Sequence, residues 1–327
     1  MKCGQLYHQA LSDAVTLYWC KPKNAPAQAE YSVFWDGSQV GAVCCTHFTV
    51  GHLEPGRTYH AEVRLGGQSL GVCRPQTRPA LHRLDVRSFG AIGDGMAMDA
   101  TPLQKAIDAC GPEDEVYLPS GIYRAGALRL HSDMALHLDA GAVLQGTDRP
   151  EDYLPRIHSR FEGIEQECYS SLLNLGKLDH TDRPNCRNVL IYGKGTIASG
   201  GQTLARRIID LERERLRDYL AENAELVASC ENDHTIPGRV RPRLINLSNC
   251  ENVRITGLTL ANGASWNVHM IYSRDIVTDH CAFISEGCGT GTAGIRTPPR
   301  TAPCSPAGSA PGTIAWPSNP ERTRRGT

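Results

Sequence analysis

The sequence predicts an all-β protein in which an N-terminal β-sandwich precedes an incomplete parallel β-helix. Short segments between residues 14 and 65 alternate apolar and polar residues, as half-buried strands do. Within residues 244–285 one strand-and-corner pattern occurs twice, about 23 residues apart, a spacing typical of repeat architectures. Such short strands cannot bury a face alone, so consecutive copies must stack on each other.

Composition excludes several classes of protein. The 327 residues allow one to three domains, and the net charge of -1 argues against a nucleic-acid surface or a polybasic membrane anchor. No apolar run reaches membrane-spanning length, and the N-terminus has no apolar signal segment. We therefore expect a cytoplasmic protein, or a secreted or periplasmic one if the true start differs. Thirteen cysteines without a C-x-x-C pair fit reduced thiols, and we expect neither a metal nor a cofactor.

The N-terminal segment resembles a fibronectin type III module. A tight turn at Asp36-Gly37 joins two alternating runs. Tyr59 follows an L-x-P-G turn, as in the tyrosine corner of β-sandwiches. We predict this module over residues 1–67, and packing is its more common role than ligand binding. Residues 68–84, rich in Gly, Pro and Arg, are predicted to be a linker.

The next element in the predicted order is a cap. From Asp85 the chain reads D-V-x-x-F-G-A-x-G-D-G, and a helix is predicted over about residues 102–110 because its apolar residues share one face. The strand pattern V-Y-L-P-x-G-x-Y follows from Val116. A helix here would cover the open end of a coil stack. Asp94 and Asp99 are predicted to be turn residues of this cap.

Further coils follow over about residues 134–144 and 186–197, with two insertions between coils. Residues 148–182 are less periodic and are predicted to form loops over a groove. One long polar helix is predicted over about residues 204–228, where charges of both signs alternate as on a solvated face.

The cap and coil motifs together resemble those of glycoside hydrolase family 28, the polygalacturonases, in the bacterial exo-acting branch that carries a fibronectin-like module. The resemblance covers residues 84–285, and we assign residues 85–287 to this domain. It implies a right-handed, single-stranded parallel β-helix of the pectin lyase-like type. It also implies inverting, exo-acting hydrolysis of α-1,4-galacturonosyl linkages in polygalacturonate or oligogalacturonides, without a metal, nucleic acid or membrane partner.

The residues that would carry out this reaction are missing from the chain. The family supplies them in the motifs N-x-D, G-D-D, G-H-G and R-I-K, on coils after those seen here. One carboxylic acid protonates the leaving oxygen while other carboxylates activate a water. No such motif follows Ser285, and the last Asp and His are Asp279 and His280. We assign no catalytic residue, and we predict that the chain as given is inactive.

A second reading frame accounts for the missing motifs. Composition changes at Gly287, and residues 288–327 read as a low-complexity tail rich in Pro, Gly, Ala and Thr. Possible codons for these residues can be read one base earlier. In that frame the codons of residues 288–298 can encode V-W-N-G-D-G-W-D-P-D-S, and those of residues 311–327 can encode T-G-D-D-C-V-A-I-K-S-G-K-N-P-E-G-N. Only the first base of each shifted codon can be chosen, because it is the variable third base of the preceding codon, yet both strings resemble catalytic motifs of the family in the right order. We predict that the tail is an out-of-frame, disordered translation of the catalytic region.

Two residues are candidates for substrate binding. Trp266 and His269 lie in S-W-N-V-H, at the turn between the last two coils, where an aromatic ring can stack on a sugar. The more frequent alternative for both is a core or ladder position. Four other conspicuous residues are predicted to be structural: a corner residue, a turn or surface group, and two interior thiols. These are, in that order, Asp275, Asp279, Cys250 and Cys281.

Two other functions stay open at this point. A β-sandwich joined to a short β-helix can be a carbohydrate-binding protein without activity. A pectate lyase-like enzyme shares the fold, but it would need a calcium site of clustered acidic residues, and the sequence shows no such cluster.

Overall fold

The structure, a computed structural model, describes residues 5–181, 183–230 and 234–286, and the backbone of one further strand, Gly294–Thr297. It contains two compact units, and the second begins at His82. Within the described ranges, no helix has both the length and the apolar character needed to cross a bilayer.

The first unit consists of two antiparallel sheets with a common core. One sheet has the order β1-β2-β5 and the other the order β4-β3-β6-β7. Leu17, Tyr31 and Val63 belong to the buried cluster between them. The strands are β1 (Tyr7–Ala10), β2 (Val15–Tyr18), β3 (Tyr31–Trp35), β4 (Ser38–Val43), β5 (His47–Val50), β6 (Ala61–Leu65) and β7 (Gln68–Cys73).

The predicted tie of Tyr59 to the backbone is present. The backbone N–H of Glu54 donates to the Tyr59 hydroxyl at 2.8 Å, and the ring packs on Trp35 with centroids 5.1 Å apart. Assignment of this sandwich to the fibronectin type III class stays a prediction.

The predicted linker at residues 68–84 is wrong at both ends. Gln68–Cys73 is strand β7, which pairs with β6 as an edge strand. His82–Asp85 is already the first strand of the next unit. An edge strand has few buried side chains, so its polar composition resembles that of a linker.

The second unit is a parallel β-helix with three sheets. The first coil contributes a strand to two of the sheets, each later coil contributes a strand to all three, and all pairings within the three sheets are parallel. The first sheet contains β8 (His82–Asp85), β10 (Asp114–Leu118), β13 (Met134–Leu138), β18 (Cys186–Gly193), β21 (Cys250–Thr256) and β24 (Arg274–Asp279). The second contains β9 (Asp94–Met98), β11 (Gly121–Ala125), β14 (Ala142–Gly146), β19 (Thr196–Ala198), β22 (Thr259–Ala261) and β25 (Ala282–Ile284). The third, here called the groove sheet, contains β12 (Leu128–Leu130), β17 (Leu173–Gly176), β20 (Ile245–Ser248), β23 (Val268–Ile271) and β26 (Gly294–Thr297).

Apolar residues of successive coils stack in register inside the helix. In the first sheet, Val116, Leu136, Ile191 and Ile255 occupy one position of four neighbouring strands, and all are buried. Burial of each such side chain contributes about 1.5–3 kcal/mol relative to its exposure. Cys250 is buried in this stack and Cys281 packs against it, as predicted.

Corner residues form a second ladder, on the outside of the same sheet. Asp133, Asn188, Asn252 and Asp275 have φ values of 59°, 57°, 53° and 54°. Asn and Asp tolerate this left-handed conformation better than other side chains. Asn252 donates to Asn188 at 2.8 Å, and Asn188 donates to Asp133 at 2.7 Å. The predicted corner role of Asp275 is confirmed, and Asp279 lies opposite Thr256 as predicted.

The cap is present, with its helix shifted slightly toward the N-terminus. Helix α1 (Ala100–Ala109) buries Leu103, Ala106 and Ile107 against the first coil. The Asp99 carboxylate accepts from the backbone N–H groups of two residues in the preceding turn, at 2.8 and 3.0 Å. Asp94 caps its own turn through two further backbone N–H groups. Both acids are therefore turn residues, as predicted.

The single polar helix predicted over residues 204–228 is three helices: α2 (Gly201–Arg215), α3 (Arg217–Glu222) and α4 (Ala224–Ala228). The Asn223 side chain donates to the Tyr219 carbonyl at 2.8 Å, a local bond that competes with helix continuation. The charges do not all face solvent, since Glu212 is buried and pairs with Arg156 and Arg215.

One segment of the predicted disordered tail, residues 288–327, is ordered. Strand β26 (Gly294–Thr297) pairs in parallel with β23, and Ile295 is the register partner of His269. A parallel ladder uses main-chain groups alone, so an exposed strand edge can pair with a segment of any compatible sequence. The rest of the predicted tail lies outside the described residues.

The remaining elements are an antiparallel hairpin between the coils and three short 3-10 helices. The hairpin consists of β15 (Ile157–Phe161) and β16 (Ile164–Cys168), inside the predicted loop insertion at residues 148–182. The 3-10 helices are Val86–Phe89, Pro150–Tyr153 and Pro237–Val240.

Candidate functional site

A row of polar residues runs across the outer face of the groove sheet. Arg129, Asn174, Asn246 and His269 are register partners on β12, β17, β20 and β23. On each strand the neighbouring apolar residues, such as Leu173 and Leu175, point into the core. The polar side chains therefore lie on the opposite face, and we call this row the groove floor.

A cavity of about 910 Å³ lies over the first part of this floor. Its walls come from the cap helix, the hairpin and the segment between β17 and β18. The lining residues are Gln104, Asp108, Arg129, Leu130, His131, Ser132, Ile157, His158, Asn174, Gly176, Lys177, Leu178, Asp179, Asn185, Cys186, Asn246 and Ser248. This size suits a small sugar chain better than a single small ion.

Charged side chains of both signs line the cavity. Among the described residues, the side chains of Arg129 and Lys177 have no carboxylate partner and both are exposed. The acids, by contrast, are engaged: Asp108 accepts from Gln104 at 2.8 Å, and Asp179 from Thr181 and Asn185 at 2.7 Å each. The two acids keep their charge, but Arg129 and Lys177 can each still pair with one carboxylate of a ligand.

Asp179 stays ionised in this wall. Burial raises the pKa of its carboxyl, but hydrogen bonds from Thr181 and Asn185 and the nearby His180 charge outweigh burial and hold the pKa below its usual value. Its role is to order the segment between β17 and β18, because it also accepts from Asn249 at 3.1 Å.

The hairpin covers the far part of the floor. Ser159 on β15 donates to Asn246 at 3.5 Å. The ring of Phe161 stacks on Trp266, with centroids 4.4 Å apart and an angle of 24° between planes. Arg160 donates to the Tyr272 hydroxyl at 2.6 Å. The insertion thus lies over the groove, as its weak periodicity predicted.

Both predicted substrate-binding residues are buried, in the part of the floor that the hairpin covers. Trp266 is 5% exposed and His269 is 2% exposed, with ring centroids 4.8 Å apart. Burial, followed by the charges of Arg243 and Arg160, lowers the pKa of His269 to about 2, so its ring is neutral at ordinary pH. This is the core or ladder alternative, and direct contact of either ring with a sugar stays a prediction.

A buried arginine accompanies these rings. The Arg243 side chain is fully buried, with its guanidinium carbon 4.8 Å from the Phe161 ring centroid and 5.6 Å from that of Trp266. Its Nη2 donates to the Arg160 carbonyl, whereas Nε and Nη1 have no partner among the described residues. Burial lowers the pKa of Arg243.

Sequence reasoning missed the floor and Arg243, although a signal for the floor was present. Each strand of the groove sheet has one polar residue between two apolar ones: L-R-L at 128–130, L-N-L at 173–175, I-N-L at 245–247 and V-H-M at 268–270. Aligning these triplets would have identified the row. No comparable signal marks Arg243, whose contacts come from distant parts of the chain.

The floor has one cation, two amides and one neutral imidazole, but no acid. None of its four positions within the described residues carries a carboxylate, and Asp275 and Asp279 lie on the first sheet. An inverting glycosidase needs two carboxyl groups about 6.5–9.5 Å apart across the scissile bond. These residues can therefore bind an anionic sugar chain, but they do not supply the acid and base.

Comparisons with known proteins agree with this fold. The chain is 27% identical over 279 residues to an exo-poly-alpha-D-galacturonosidase of Dickeya chrysanthemi, an alignment that covers 78% of the chain and 46% of that protein. It is 24% identical over 235 residues to a Vitis vinifera protein named "Probable polygalacturonase", covering 66% of the chain and 39% of that protein. The chain thus spans less than half the length of these relatives. No family model matches the sequence.

A solved structure shows the same architecture. The family 28 exopolygalacturonase of Yersinia enterocolitica superposes with a TM-score of 0.74 at 22% identity, over 90% of this chain and 61% of that one. At this identity the likeness shows the fold, a right-handed parallel β-helix. Together with this fold, the relatives found by sequence support assignment of the chain to glycoside hydrolase family 28, the polygalacturonase family.

Proposed function

We propose that this chain is the N-terminal part of an exo-acting, inverting polygalacturonase, which hydrolyses α-1,4-galacturonosyl linkages of polygalacturonate or oligogalacturonides. The relatives support the reaction class, and two basic side chains of the cavity without a carboxylate partner among the described residues, Arg129 and Lys177, support the substrate class. Each galacturonate unit carries one carboxylate, which Arg129 and Lys177 can attract at the open end of the floor.

One observation carries the link between the groove and catalysis. Strand β26 continues the groove sheet, and Ile295 takes the next position of the floor row after His269. In the shifted reading frame the codon that overlaps Ile295 permits Asp, three residues after the position that permits the Asp of the N-x-D motif. The frame that permits the family motif therefore also permits a carboxylate at the next position of the row, where the described residues have none.

In this proposal the two parts of the groove have separate tasks. The described floor binds and orients the anionic chain, and the hairpin closes its far part. Carboxylates of the coils after β23 protonate the leaving oxygen and activate the attacking water. Because those groups are out of frame, the chain as given binds substrate but does not turn it over.

The decisive experiment compares two reading frames. The nucleotide sequence beyond codon 287 is determined, and the chain as given and a one-base frame-restored version are assayed for reducing-sugar release from polygalacturonate. We expect no release from the first and galacturonate monomer from the second. Release by the chain as given would overturn the assignment of catalysis to the shifted region. A shifted frame interrupted by stops, without G-H-G and R-I-K, would overturn the frameshift.

Binding tests the role of the floor independently of turnover. Because Arg129 and Lys177 supply the free positive charge of the cavity, we expect Arg129→Ala with Lys177→Ala to weaken trigalacturonate binding to the chain as given about tenfold or more. Lys105→Ala, an exposed lysine on the cap helix, is the matched control. Equal affinities of the double variant and the control would show that the groove does not bind the substrate. Binding without turnover in either frame would instead favour a carbohydrate-binding protein.

A further inference from the structure

Two histidines and a glutamate converge beside the groove. His158 and Glu165 lie on the two strands of the hairpin, and His180 lies on the segment between β17 and β18. Their ligand atoms are all within 4.8 Å of one another, a grouping of potential metal ligands within the described part of the chain. The Glu165 Oε2 atom is 3.7 Å from His158 Nε2 and 3.1 Å from His180 Nε2.

These separations match those of ligands that share a small metal ion. Zn²⁺ lies about 2.0–2.1 Å from imidazole nitrogen and about 2.0–2.2 Å from carboxylate oxygen. Two ligands in tetrahedral geometry are therefore about 3.3 Å apart. The observed 3.1 and 3.7 Å bracket this value. The ligand atoms of the third pair, His158 and His180, are also within 4.8 Å of each other.

Neighbouring groups orient the ligand atoms. His158 Nδ1 lies 3.2 Å from Glu167 Oε1, a contact that assigns the proton to Nδ1 and leaves the Nε2 lone pair facing Glu165. In metal sites, the ring nitrogen of a histidine that does not bind the metal commonly donates to a carboxylate. Tyr272 donates to the other oxygen of Glu165, Oε1, at 3.0 Å, so Oε2 is left to face both histidines.

The local charge is compatible with a dication. The Glu165 carboxylate lies beside both imidazoles, at 3.7 and 3.1 Å. The Arg160 guanidinium is 4.0 Å from Oε1, on the side away from the ligand atom. Glu167 supplies a second negative charge, which offsets it.

We propose that His158, Glu165 and His180 form a zinc-type site that binds one divalent transition metal, with water as the fourth ligand. Two imidazoles and one carboxylate are the ligand set that such ions favour over Ca²⁺ or Mg²⁺, which prefer oxygen alone. The site lies outside the groove floor, and the expectation of metal-free hydrolysis is unaffected. The inference does not rest on the proposed function.

Such an ion would link two segments of the chain that line the groove. It would join the hairpin, which covers the far part of the floor, to the segment that presents Lys177 and Asp179 to the cavity. A link between two segments at the cavity restricts their relative motion. Metal binding would thus order the groove without taking part in the chemistry.

The test uses the full chain, freed of metal by a chelator, and Zn²⁺ or Co²⁺ alone. We expect one equivalent to bind in calorimetry, and Co²⁺ to give the visible absorption of a four-coordinate site. Glu165→Gln, His158→Ala and His180→Ala should each weaken binding at least tenfold, and Glu167→Gln should weaken it by a similar or smaller factor. His82→Ala, an exposed histidine on β8, is the control and should bind normally.

Two outcomes would overturn the proposal: no stoichiometric binding by the original chain, or unchanged binding by both histidine variants. A readout on the original chain avoids dependence on how the variants fold. Zn²⁺ should slow amide hydrogen exchange in residues 157–168 and 177–181 several-fold, with Mg²⁺ as the inactive comparison. Equal exchange with and without Zn²⁺ would also contradict the site.

Discussion

Arg243 and His269 are basic residues that are almost completely inaccessible, and each has at least one side-chain nitrogen without a hydrogen-bond partner among the described residues. A charged guanidinium away from water is costly unless it is paired, and two of its nitrogens have no partner among the described residues. Aromatic faces of Phe161 and Trp266 compensate in part. The neutral His269 avoids a second positive charge in the same place.

His269 should make stability depend on pH. In the folded chain its pKa is lowered to about 2, whereas the unfolded chain has the ordinary value of 6.5. Below pH 6.5 only the unfolded chain takes up the proton, so stability is lost as pH falls. From this group alone we expect the free energy of unfolding to be about 2 kcal/mol lower at pH 5 than above pH 7. Urea unfolding of the original chain and of His269→Gln at both pH values measures the difference, and equal pH dependence in the two would contradict the prediction.

At the scale of elements, the corners set the geometry of each coil. The side-chain ladder from Asp133 through Asn188 to Asn252 joins three successive coils, and each residue has positive φ. Two separate effects thus meet at one position: a hydrogen bond between coils and a backbone conformation that most side chains avoid.

Asn252 allows these effects to be separated. We expect Asn252→Ala to lower the free energy of unfolding by about 2 kcal/mol, since it loses the bond to Asn188 and places a Cβ in left-handed backbone. Asn252→Gly loses the same bond but fits the backbone, so it should be less destabilising than Asn252→Ala. Chemical denaturation of the three chains gives the values, and equal losses in both variants would show that backbone conformation contributes nothing.

Elements defined by local pattern could be predicted from the sequence, and elements defined by distant contacts could not. The cap helix, the coils and the Asn and Asp corners depend on spacing within one coil, and the structure confirms them. The strand Gln68–Cys73 forms by pairing with β6, and its exposed residues lack the alternation that predicts a strand. The site around Arg243 depends on Phe161 and Trp266, which lie 82 residues before it and 23 after it in the numbering, and no local pattern relates them.

At the scale of the whole molecule, the second unit is a one-dimensional stack in which each coil contacts mainly its neighbours. Stability in such stacks is close to a sum of coils and their interfaces. The inner strand β18 has four buried residues, whereas every residue of β24 is exposed or partly exposed. Local opening should therefore be easier toward β24.

Hydrogen exchange should show this gradient. We expect amides of Arg274–Asp279 to exchange roughly tenfold or more faster than those of Cys186–Gly193, because fewer contacts must break to open the later coil. Mass spectrometry of peptides along the first sheet measures it, with Met134–Leu138 as an inner reference. Uniform protection across the sheet would mean that the coils open as one cooperative unit.

The position of helix α1 has a consequence for synthesis. It covers the coil that the ribosome makes first, so the order of coils along the axis is also their order of emergence. Each new coil meets a finished, capped surface on which its strands can pair, and it needs no later segment to do so. The unit can therefore assemble while it is being made, growing in one direction from its sealed end.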